Sequence, residues 1–505
     1  MQKPKAPSAL APKALALLRE AAAQSEPIYL VGGALRDCLL GRAVTDLDVA
    51  TKGAKKTALR LSKTLRGTFV ALDEEHGVYR IALGKAAGSV QYIDVAEIQG
   101  ADIGADLLRR DFAFNAMAFP LTIKMPARLS APTILDPRGG LADLKKGLLR
   151  APSEAVFKDD PLRLLRAFRI AAQLGFALEP KTLEMMRRNR NLIRHPAGER
   201  IQSELLLLLA IEGCSRWIAL MDQCGLLTAL FKELEPSRLC ATEYYGEGGV
   251  LAHSLATVAR ADFLMNHLRE AFPDLGRPLE KYMAERSTGQ VPHRAALILA
   301  ALLHDVAKPA TAKEVDGRLR FFGHDVLGAK TASAILKRLK FSRDSIDVIS
   351  TAIAHHLRPG NLAAGGTVSD KAIYRFFRDI GANAVSLLLV CWSDHASYLP
   401  EKTFLRLLKE GLNDPNTADL SSVRPPDARK TVRHLQVVHL LLKHHFKKPA
   451  LVNPPKLVTG HDVIKALRLA PGPKIGEILE AVQEAQATGK ISSRQQALIY
   501  LSSLK

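Results

Sequence analysis

The chain is poor in cysteine. Its 505 residues include five cysteines, with no C-x-x-C spacing, and an odd number cannot form a complete set of pairs. This scarcity argues against a disulfide framework and against a cysteine-based zinc site, and it is typical of proteins in a reducing compartment. We therefore expect free thiols and a cytoplasmic location. The five are Cys38, Cys214, Cys224, Cys240 and Cys391.

Long apolar runs and aromatic residues are also scarce. No uninterrupted apolar run approaches the roughly 20 residues that span a bilayer, so we expect no membrane partner. Phe, Trp and Tyr make up only 6% of the chain, which leaves few rings for stacking on single-stranded bases. Nothing in the composition indicates an oligomeric state.

Positive charge is in excess instead. The chain has 71 Lys and Arg residues against 51 Asp and Glu residues, a net charge of +20 at pH 7. Such an excess favours a polyanionic partner, and without a membrane segment nucleic acid is the better candidate. The length suits about three or four domains at roughly 100 to 200 residues each.

Secondary-structure patterns divide the chain. Short apolar runs with glycine at their ends, such as IYLVGG and VYRIALG, predict strands within the first 100 residues, whereas helix-type spacing dominates from about Asp159. We predict an α+β protein with a mixed α/β head followed by an all-α body and a helical tail. The predicted segments are a mobile N-terminal segment (1–25), the head (26–150), a helical neck (151–240), a metal-site domain (245–400) and a C-terminal RNA-binding region (401–505).

A glycine pair precedes two closely spaced aspartates in VGGALRDCLLGRAVTDLDVAT. Asp46 and Asp48 are two apart on a predicted strand, so both project to one face, where two carboxylates repel unless they share a divalent cation. Gly32 and Gly33 lead into a helix whose N–H groups can approach a phosphate, and Arg36 adds charge. Each motif alone is usually a turn or a solvated strand edge, but together they suit Mg²⁺-assisted nucleotidyl transfer.

These residues carry a family resemblance. The stretch is similar to the nucleotidyltransferase signature of the class II tRNA nucleotidyltransferase (CCA-adding) and bacterial poly(A) polymerase family. Four later segments resemble further motifs of that family in order: RRDFAFNAMAF (109–119), DPRGGLADLKKGLLR (136–150), DDPLRLLRAFRIAAQLGF (159–176) and GERIQSELLLLL (198–209). The resemblance implies addition of nucleotides from NTPs to the 3′ end of tRNA or another RNA, by attack of the terminal hydroxyl on the α-phosphate with release of pyrophosphate.

The resemblance also implies roles for single residues. Asp46 and Asp48 would bind the metal, Asp94 is the candidate third acidic residue, and Arg110 with Asp111 would sense the ribose. Other implied nucleotide contacts are Arg166 and Arg200.

Selection of the base is expected from Asp160 and Arg163, which lie three apart on a predicted helix. A carboxylate accepts from an exocyclic amine and a guanidinium donates to ring acceptors, so the pair suits cytosine and adenine and disfavours guanine and uracil. CTP is the expected donor, with ATP as a second candidate. A helix N-cap is the alternative role for Asp160. Asp159 stands where the family usually has Glu, so no role is carried over to it.

The interval between Glu97 and Arg110 is short. Relatives that add the full CCA end, and those that add A, generally carry a flexible segment here, whereas a shortened one is typical of CC-adding members. The resemblance therefore favours addition of CC without the terminal A.

A second set of metal-ligand residue types follows the order H…HD…H…HH…D. It resembles the HD superfamily, and HDVAK departs from the common H-D-x-G-K at Ala307. The resemblance implies a phosphohydrolase acting on a phosphomonoester or a 2′,3′-cyclic phosphate at an RNA end, or a domain kept as a scaffold. A transition metal or Mg²⁺ suits the ligands. They are His253, His304, Asp305, His324, His355 (with His356 left open) and Asp394.

Other hypotheses remain open at this stage. The same motifs are compatible with a poly(A) polymerase, against which the HD pattern and the short interval argue. The chain could also be mainly an HD phosphohydrolase with a degenerate head, although Asp46, Asp48, Asp160 and Arg163 are all present. A second HD dipeptide, His461-Asp462, is expected to cap a helix and to bind no metal.

Overall fold

Two compact units make up the chain. The computed structural model describes residues 12–23, 26–84, 90–122, 131–285, 291–421, 423–426 and 428–504. One unit comprises Met1–Pro196 with Cys224–Ala229, and the other comprises Ala197–Gln223 with Leu230–Lys505. The boundary after Pro196 falls inside the predicted neck. A sheet-containing head and a mainly helical remainder confirm the α+β prediction.

The main sheet of the first unit has six strands: β1 (Ile28–Val31), β2 (Asp46–Thr51), β3 (Thr68–Asp73), β4 (Val78–Ala82), β5 (Tyr92–Glu97) and β6 (Ala118–Pro120). Their order is β3-β4-β5-β2-β1-β6; β2 and β5 are parallel and the other neighbours antiparallel. In β2 the side chains of Leu47 and Val49 are buried, so the opposite face presents the two aspartates. Two shorter pairs are β7 (Leu148–Leu149) with β8 (Ala177–Leu178), and β9 (Lys313–Val315) with β10 (Arg318–Arg320).

The helices up to residue 189 are α1 (Pro12–Ala21), α2 (Gly32–Leu39), α3 (Ala54–Thr64), α4 (Ile103–Leu107), α5 (Gly140–Lys146), α6 (Ala155–Asp159), α7 (Arg163–Leu174) and α8 (Pro180–Asn189). Helix α7 buries one apolar stripe, including Leu164 and Phe168, and ends where Gly175 adopts φ +71°, a left-handed conformation that favours glycine. Helix α2 begins at Gly32, directly after β1, whereas the sequence predicts a start near Ala34, after the glycine pair.

The predicted mobile segment 1–25 needs correction in part. Helix α1 buries Leu15 and Leu18 and packs on α3, where the Arg60 guanidinium donates to the carbonyl of Ala21. This part of the segment is therefore an ordered helix of the head. Residues 1–11, 24 and 25 lie outside the described residues.

The remaining helices are α9 (Gly198–Leu209), α10 (Cys214–Gln223), α11 (Leu226–Leu230), α12 (Thr242–Tyr245), α13 (Gly249–Asn266), α14 (Leu268–Ala271), α15 (Gly276–Ala284), α16 (His293–Leu303), α17 (Lys308–Thr311), α18 (His324–Arg338), α19 (Arg343–His355), α20 (Arg358–Ala364), α21 (Asp370–Ile380), α22 (Ala384–Ser397), α23 (Glu401–Glu410), α24 (Ala428–Lys447), α25 (Pro449–Val452), α26 (Gly460–Leu467), α27 (Pro473–Ala487) and α28 (Arg494–Ser502). Helix α16 is apolar on all sides and buried from residue 295 to 303, so it forms a central element, with α13, α19 and α22 packed on it.

Two features of this unit bear on the sequence expectations. The stretch Asp370–Ser397 is long enough for a membrane span, and its most apolar 18 residues have a mean hydropathy of 1.2, but it consists of two helices and 72% of those residues are buried within the protein. At the start of α26, Asp462 accepts from the backbone N–H of Thr459, and its own N–H donates to the Thr459 hydroxyl. This capping box confirms the predicted cap role of the second HD dipeptide.

Candidate active sites

The first candidate site lies where β1, α2 and β2 meet. The Asp48 carboxylate accepts a hydrogen bond from the Ala34 N–H at 3.0 Å, within the first turn of α2. A methyl group added at either Gly32 or Gly33 would lie 3.4 Å from Asp48 Oδ2, and Gly32 has φ +62°. Both glycines therefore allow the helix N-terminus to approach the carboxylate closely, and an anion bound there would meet free backbone N–H groups.

Burial and like charge act together on the two aspartates. Burial is the main cause that raises the pKa of Asp48, and Asp94 adds to it, whereas the Ala34 N–H, Arg110 and Arg36 oppose it. Partial burial and then Asp94 likewise raise the pKa of Asp46. Carboxylates held close together in this way are suited to a hard divalent cation, which removes their mutual repulsion.

Asp94 lies beside this pair but has a partner. It is directly opposite Asp48 in the parallel β2–β5 ladder. The Arg80 guanidinium donates to both of its carboxylate oxygens, at 2.8 and 2.7 Å. Asp94 can therefore ligate a metal only if this bidentate pair opens, and its role as a third acidic ligand stays a prediction.

The RRDF segment forms a hydrogen-bonded chain behind the site. Arg36 donates to the side chain of Asn115, Asn115 donates to Asp111, and Asp111 pairs with Arg166 on α7 at 3.0 Å. Burial alone would raise the pKa of Asp111. Arg166, Asn115 and the Phe112 N–H outweigh this effect and lower that pKa. The chain therefore fixes Arg36 relative to α7. Asn115 is not among the predicted site residues, although it lies in the RRDF motif.

Arg110 stands between the glycine turn and α4. Its guanidinium pairs with Asp106 at 2.8 Å, and one of its nitrogens lies 3.5 Å from the position of a methyl group on Gly32. The interval from Glu97 to Arg110 is fully described and contains only the short helix α4. Nothing longer is inserted there, in agreement with the sequence.

We expected Asp160 and Arg163 on one helix, but Asp160 lies outside it. Helix α6 ends at Asp159 and α7 begins at Arg163, and Asp160 between them is extended, with φ −142° and ψ 98°. The following residue is Pro161, which disfavours helical backbone at the position before it. The Asp160 carboxylate accepts from the Leu162 N–H, as a capping residue would. Arg163 donates to the carbonyls of Val156 and Arg109.

Arg200 is distant in sequence from the other predicted nucleotide contacts and belongs to a different compact unit. It is an exposed residue of α9, which belongs to the second compact unit, whereas the other predicted nucleotide contacts belong to the first.

The second candidate site is a buried cluster of imidazoles and carboxylates. Its residues come from α13, the turn after α16, the start of α18, the end of α19, and α22. They form two groups, and within each group all ligand atoms lie within 4.8 Å of one another. The first group is His253, His304 and Asp394; the second is Asp305, His324 and His356.

Asp305 joins the two groups. Its Oδ2 lies 3.2 Å from His304 Nε2 and 3.6 Å from His253 Nε2. Its Oδ1 lies 3.4 Å from His324 Nε2 and 3.7 Å from His356 Nε2. A carboxylate that faces a different pair of imidazoles with each oxygen is suited to bridge two metal ions.

The orientation of the rings fits a metal. The Nδ1 atoms of His304, His324 and His356 each contact the carbonyl three residues earlier, at 2.9, 2.6 and 2.7 Å. A proton held on Nδ1 leaves the lone pair on Nε2, which points into the cluster. His304 Nε2, Asp305 Oδ1 and Asp394 Oδ1 are buried without a well-directed hydrogen bond. Buried polar atoms of this kind require a partner, and a divalent metal would supply it.

The prediction of His355 as a ligand is wrong. His355 is the last residue of α19 and is half-buried outside the cluster, whereas the adjacent His356 is buried within it. Successive residues of a helix point about 100° apart, so only one of two neighbouring histidines can face the site.

Three further side chains adjoin this cluster. The Lys308 ammonium lies 2.5 Å from Asp305 Oδ2 and donates to the Tyr245 hydroxyl at 2.7 Å. Tyr398 contacts His253 through its hydroxyl, at 3.2 Å, and by ring stacking. Lys308 belongs to the recognised HDVAK segment and could have been selected from the sequence. Tyr245 and Tyr398 lie in no recognised motif, so the sequence did not indicate them.

Metal binding to the second site should release a proton. Burial lowers the pKa of His304, but Asp305 and Asp394 outweigh it and raise that pKa to about 8. Below that pH the metal-free imidazole is charged, so its proton must leave before Nε2 can bind. We expect affinity for Mn²⁺ to rise with pH up to about 8 and then to level off.

Calorimetry in buffers of different ionisation enthalpy measures this directly, with about one proton released at pH 7 and almost none above pH 9. The Asp46→Asn variant is the control, since it removes ligation in the head. Proton release that does not change with pH would contradict the assignment of His304.

Several parts of the chain match known protein families. The head domain of poly(A) polymerase matches residues 28–150, and the RNA and SrmB binding site of polymerase A matches residues 175–237. An HD domain matches residues 250–398, and tRNA nucleotidyltransferase domain 2 matches residues 439–501. An A-adding tRNA nucleotidyltransferase of Deinococcus radiodurans is 30% identical over 481 residues, which cover 94% of each chain. The chain belongs to the tRNA nucleotidyltransferase family.

Other members differ in the product that their names give. A CC-adding enzyme of Synechocystis is 30% identical over 479 residues, covering 94% of this chain and 93% of its own. Among solved structures, a CCA-adding enzyme with CTP has a TM-score of 0.61 at 20% identity, covering 98% of this chain and 96% of its own. The Thermotoga maritima CCA-adding enzyme complexed with tRNA has a TM-score of 0.58 at 20% identity over the whole of both chains. These structures share the fold of the family.

Proposed function

We propose that the protein adds nucleotides from NTPs to the 3′ end of tRNA and carries a second, hydrolytic site in its HD domain. The observation that carries the first part is Asp46 and Asp48 on one strand face, with the N-terminus of α2 held against Asp48 by Gly32 and Gly33. Family membership supports tRNA as the acceptor, because CC-adding and A-adding relatives align over nearly the whole chain.

The residues divide the work as follows. Asp46 and Asp48 would hold Mg²⁺, which supplies Lewis-acid activation of the attacking 3′-hydroxyl and charge neutralisation on the triphosphate. The backbone N–H groups after Gly32 bind the triphosphate, and Arg110 and Arg36 add positive charge beside them. Asp94 would become a third carboxylate ligand if its pair with Arg80 opens.

Base selection is assigned to Asp160 and Arg163. The Asp160 carboxylate accepts from the exocyclic amine of cytosine, and the Arg163 guanidinium donates to its ring acceptors. Asp160 is extended just before α7, where its carboxylate accepts from the Leu162 N–H, so contact with a base would be made in addition to this cap or in its place. Guanine and uracil would leave these groups unpaired, which is costly in a closed pocket.

The short interval before Arg110 favours CC addition over full CCA addition. Only α4 separates β5 from the RRDF segment. A site without a longer flexible segment there has less freedom to change from cytidine to adenosine. A poly(A) polymerase is the alternative, and the relatives named as tRNA nucleotidyltransferases argue against it.

Three tRNA transcripts test this proposal, ending at the discriminator base, at C and at CC. Each is incubated with the full chain, Mg²⁺ and one NTP at a time. We expect two cytidines on the first transcript, one on the second and no addition to the third. A terminal A on the CC transcript overturns CC specificity, and long A tails overturn the proposed acceptor. The Asp46→Asn variant is the control for contaminating activity.

The HD cluster is proposed to hydrolyse a phosphomonoester or a 2′,3′-cyclic phosphate. The five non-bridging ligands and Asp305 would hold one or two divalent metals, which supply an activated water. Lys308, beside Asp305, adds positive charge where a phosphate would bind. The location proposed for both activities is the cytoplasm, which the five free cysteines favour.

A further inference from the structure

A short hairpin leads directly into the HD cluster. Strands β9 and β10 pair antiparallel, with Arg318 opposite Val315 and Arg320 opposite Lys313. Residues opposite one another in a ladder share a face, as do residues two apart on a strand. Lys313, Val315, Arg318 and Arg320 therefore lie on one face of the hairpin.

This face is positively charged and exposed. Lys313, Arg318 and Arg320 are all exposed, and no ion pair involves them among the residues that the structure describes. The acidic residue of the ladder, Glu314, is opposite Leu319 and therefore belongs to the other face. Three cations without a carboxylate among them make a surface for an anion larger than a single phosphate.

The hairpin is tied to the metal-ligand cluster. Phe321 follows β10, and its carbonyl contacts the Nδ1 of His324 at 2.6 Å. The Lys308 ammonium lies 5.5 Å from the centre of the Phe321 ring. The next residue, Phe322, is 75% exposed. A large exposed ring beside a cationic strand face and a phosphohydrolase-type cluster points to a nucleic-acid ligand, because bases stack on rings while cations contact phosphates.

We propose that this face, defined by Lys313, Arg318 and Arg320, binds the phosphodiester backbone of an RNA whose terminal phosphate enters the HD site. Phe322 stacks on a base near that end. The proposal rests on the hydrolytic function given above and specifies its substrate as an RNA end in preference to a free nucleotide. The spacing supports this, because residues two apart on a strand are about 6.8 Å apart and can meet separate phosphates.

Two substrates separate this surface from the hydrolytic site itself. The full chain with Mn²⁺ is assayed on a short RNA ending in a 2′,3′-cyclic phosphate and on 2′,3′-cyclic AMP. In the triple variant Lys313→Ala, Arg318→Ala, Arg320→Ala we expect KM for the RNA to rise roughly 10-fold with kcat unchanged. The slope of log KM against log salt should fall by about 2, as for the loss of three single-strand phosphate contacts. Hydrolysis of the cyclic mononucleotide should not change.

Controls make each outcome decisive. Glu314→Gln alters the opposite face of the same hairpin and should leave KM for the RNA within two-fold. An unchanged KM in the triple variant overturns the proposal while the hydrolytic function stands. If neither substrate is hydrolysed, the hydrolytic function fails, and photo-crosslinking of an RNA with 4-thiouridine near its 3′ end then decides. Crosslinks within residues 313–322 support the surface, and their absence overturns it.

Discussion

Replacing Asp48 by Asn should reduce nucleotide addition to tRNA by about 1,000-fold or more. A metal held by carboxylates contributes several kcal/mol to phosphoryl transfer, and each 1.36 kcal/mol corresponds to a factor of ten. Asparagine keeps an oxygen that can accept from the Ala34 N–H, so the start of α2 should survive the change. Single-turnover addition of CTP to a tRNA transcript, measured as kcat/KM, gives the effect.

Asp73 supplies a matched control for this prediction. It lies exposed at the end of β3, an edge strand of the same sheet, and its carboxylate contacts His76. Asp73→Asn should leave addition within two-fold. A full rate of nucleotide addition in Asp48→Asn would rule out the proposed metal site. If the variant lost both nucleotide addition and hydrolysis and had a lower melting temperature, the chain would be unfolded.

Asp94→Asn distinguishes a metal ligand from a structural partner. Because Arg80 holds both Asp94 oxygens, we expect a smaller loss than in Asp48→Asn. An equal loss would mean that the Arg80 pair opens when the metal binds.

The head could be predicted from the sequence because its signals are local. Alternation along β2 places Leu47 and Val49 in the core, and this alone puts Asp46 and Asp48 together on the other face. The glycine turn before α2 follows from Gly32, whose φ of +62° suits no other residue type as well. Two features differ from the prediction: helix α2 begins at Gly32, earlier than expected, and part of the N-terminal segment is helix α1.

The environment of Asp160 could not be obtained from helical spacing. The spacing of three residues between Asp160 and Arg163 suggested that they share one helix face. Pro161, however, keeps Asp160 extended, and α7 begins only at Arg163. The proline was in the sequence, so this error came from applying periodicity across a helix break. The Arg36–Asn115–Asp111–Arg166 chain, in contrast, joins residues far apart in sequence and required the tertiary structure.

In the HD cluster, too, some features could be predicted from the sequence and others required the tertiary structure. Residue types and order predicted five of the six residues that the structure brings together in the cluster, but His355 and His356 are adjacent, and the choice between them depends on how α19 is rotated in the core. The bridging position of Asp305 depends on four helices meeting and has no signature in the spacing. Tyr245 and Tyr398 likewise come from distant segments.

Replacing Asp305 by Asn should abolish metal-dependent hydrolysis of 2′,3′-cyclic AMP and leave addition to tRNA within two-fold. Asp305 is the single carboxylate that faces His304 and His253 with one oxygen and His324 and His356 with the other, so its loss weakens both metal-ligand groups at once. A loss of several kcal/mol in charge stabilisation corresponds to about 1,000-fold or more in rate. Hydrolysis with Mn²⁺ and bound metal per chain, by mass spectrometry, measure the effect.

The amide also leaves the Lys308 ammonium without its buried carboxylate, so a loss of folding must be separated from a loss of ligation. Asp394→Asn serves this purpose, because Asp394 would ligate the metal together with His253 and His304 but makes no ion pair with Lys308 among the described residues. Both variants should lose hydrolysis and keep nucleotide addition, and an unchanged melting temperature reports that each chain is folded. Since the ligands of the two sites share no residue, the two losses should be independent. Loss of addition in a folded Asp394→Asn variant would show that the sites are coupled and would overturn their assignment as separate centres.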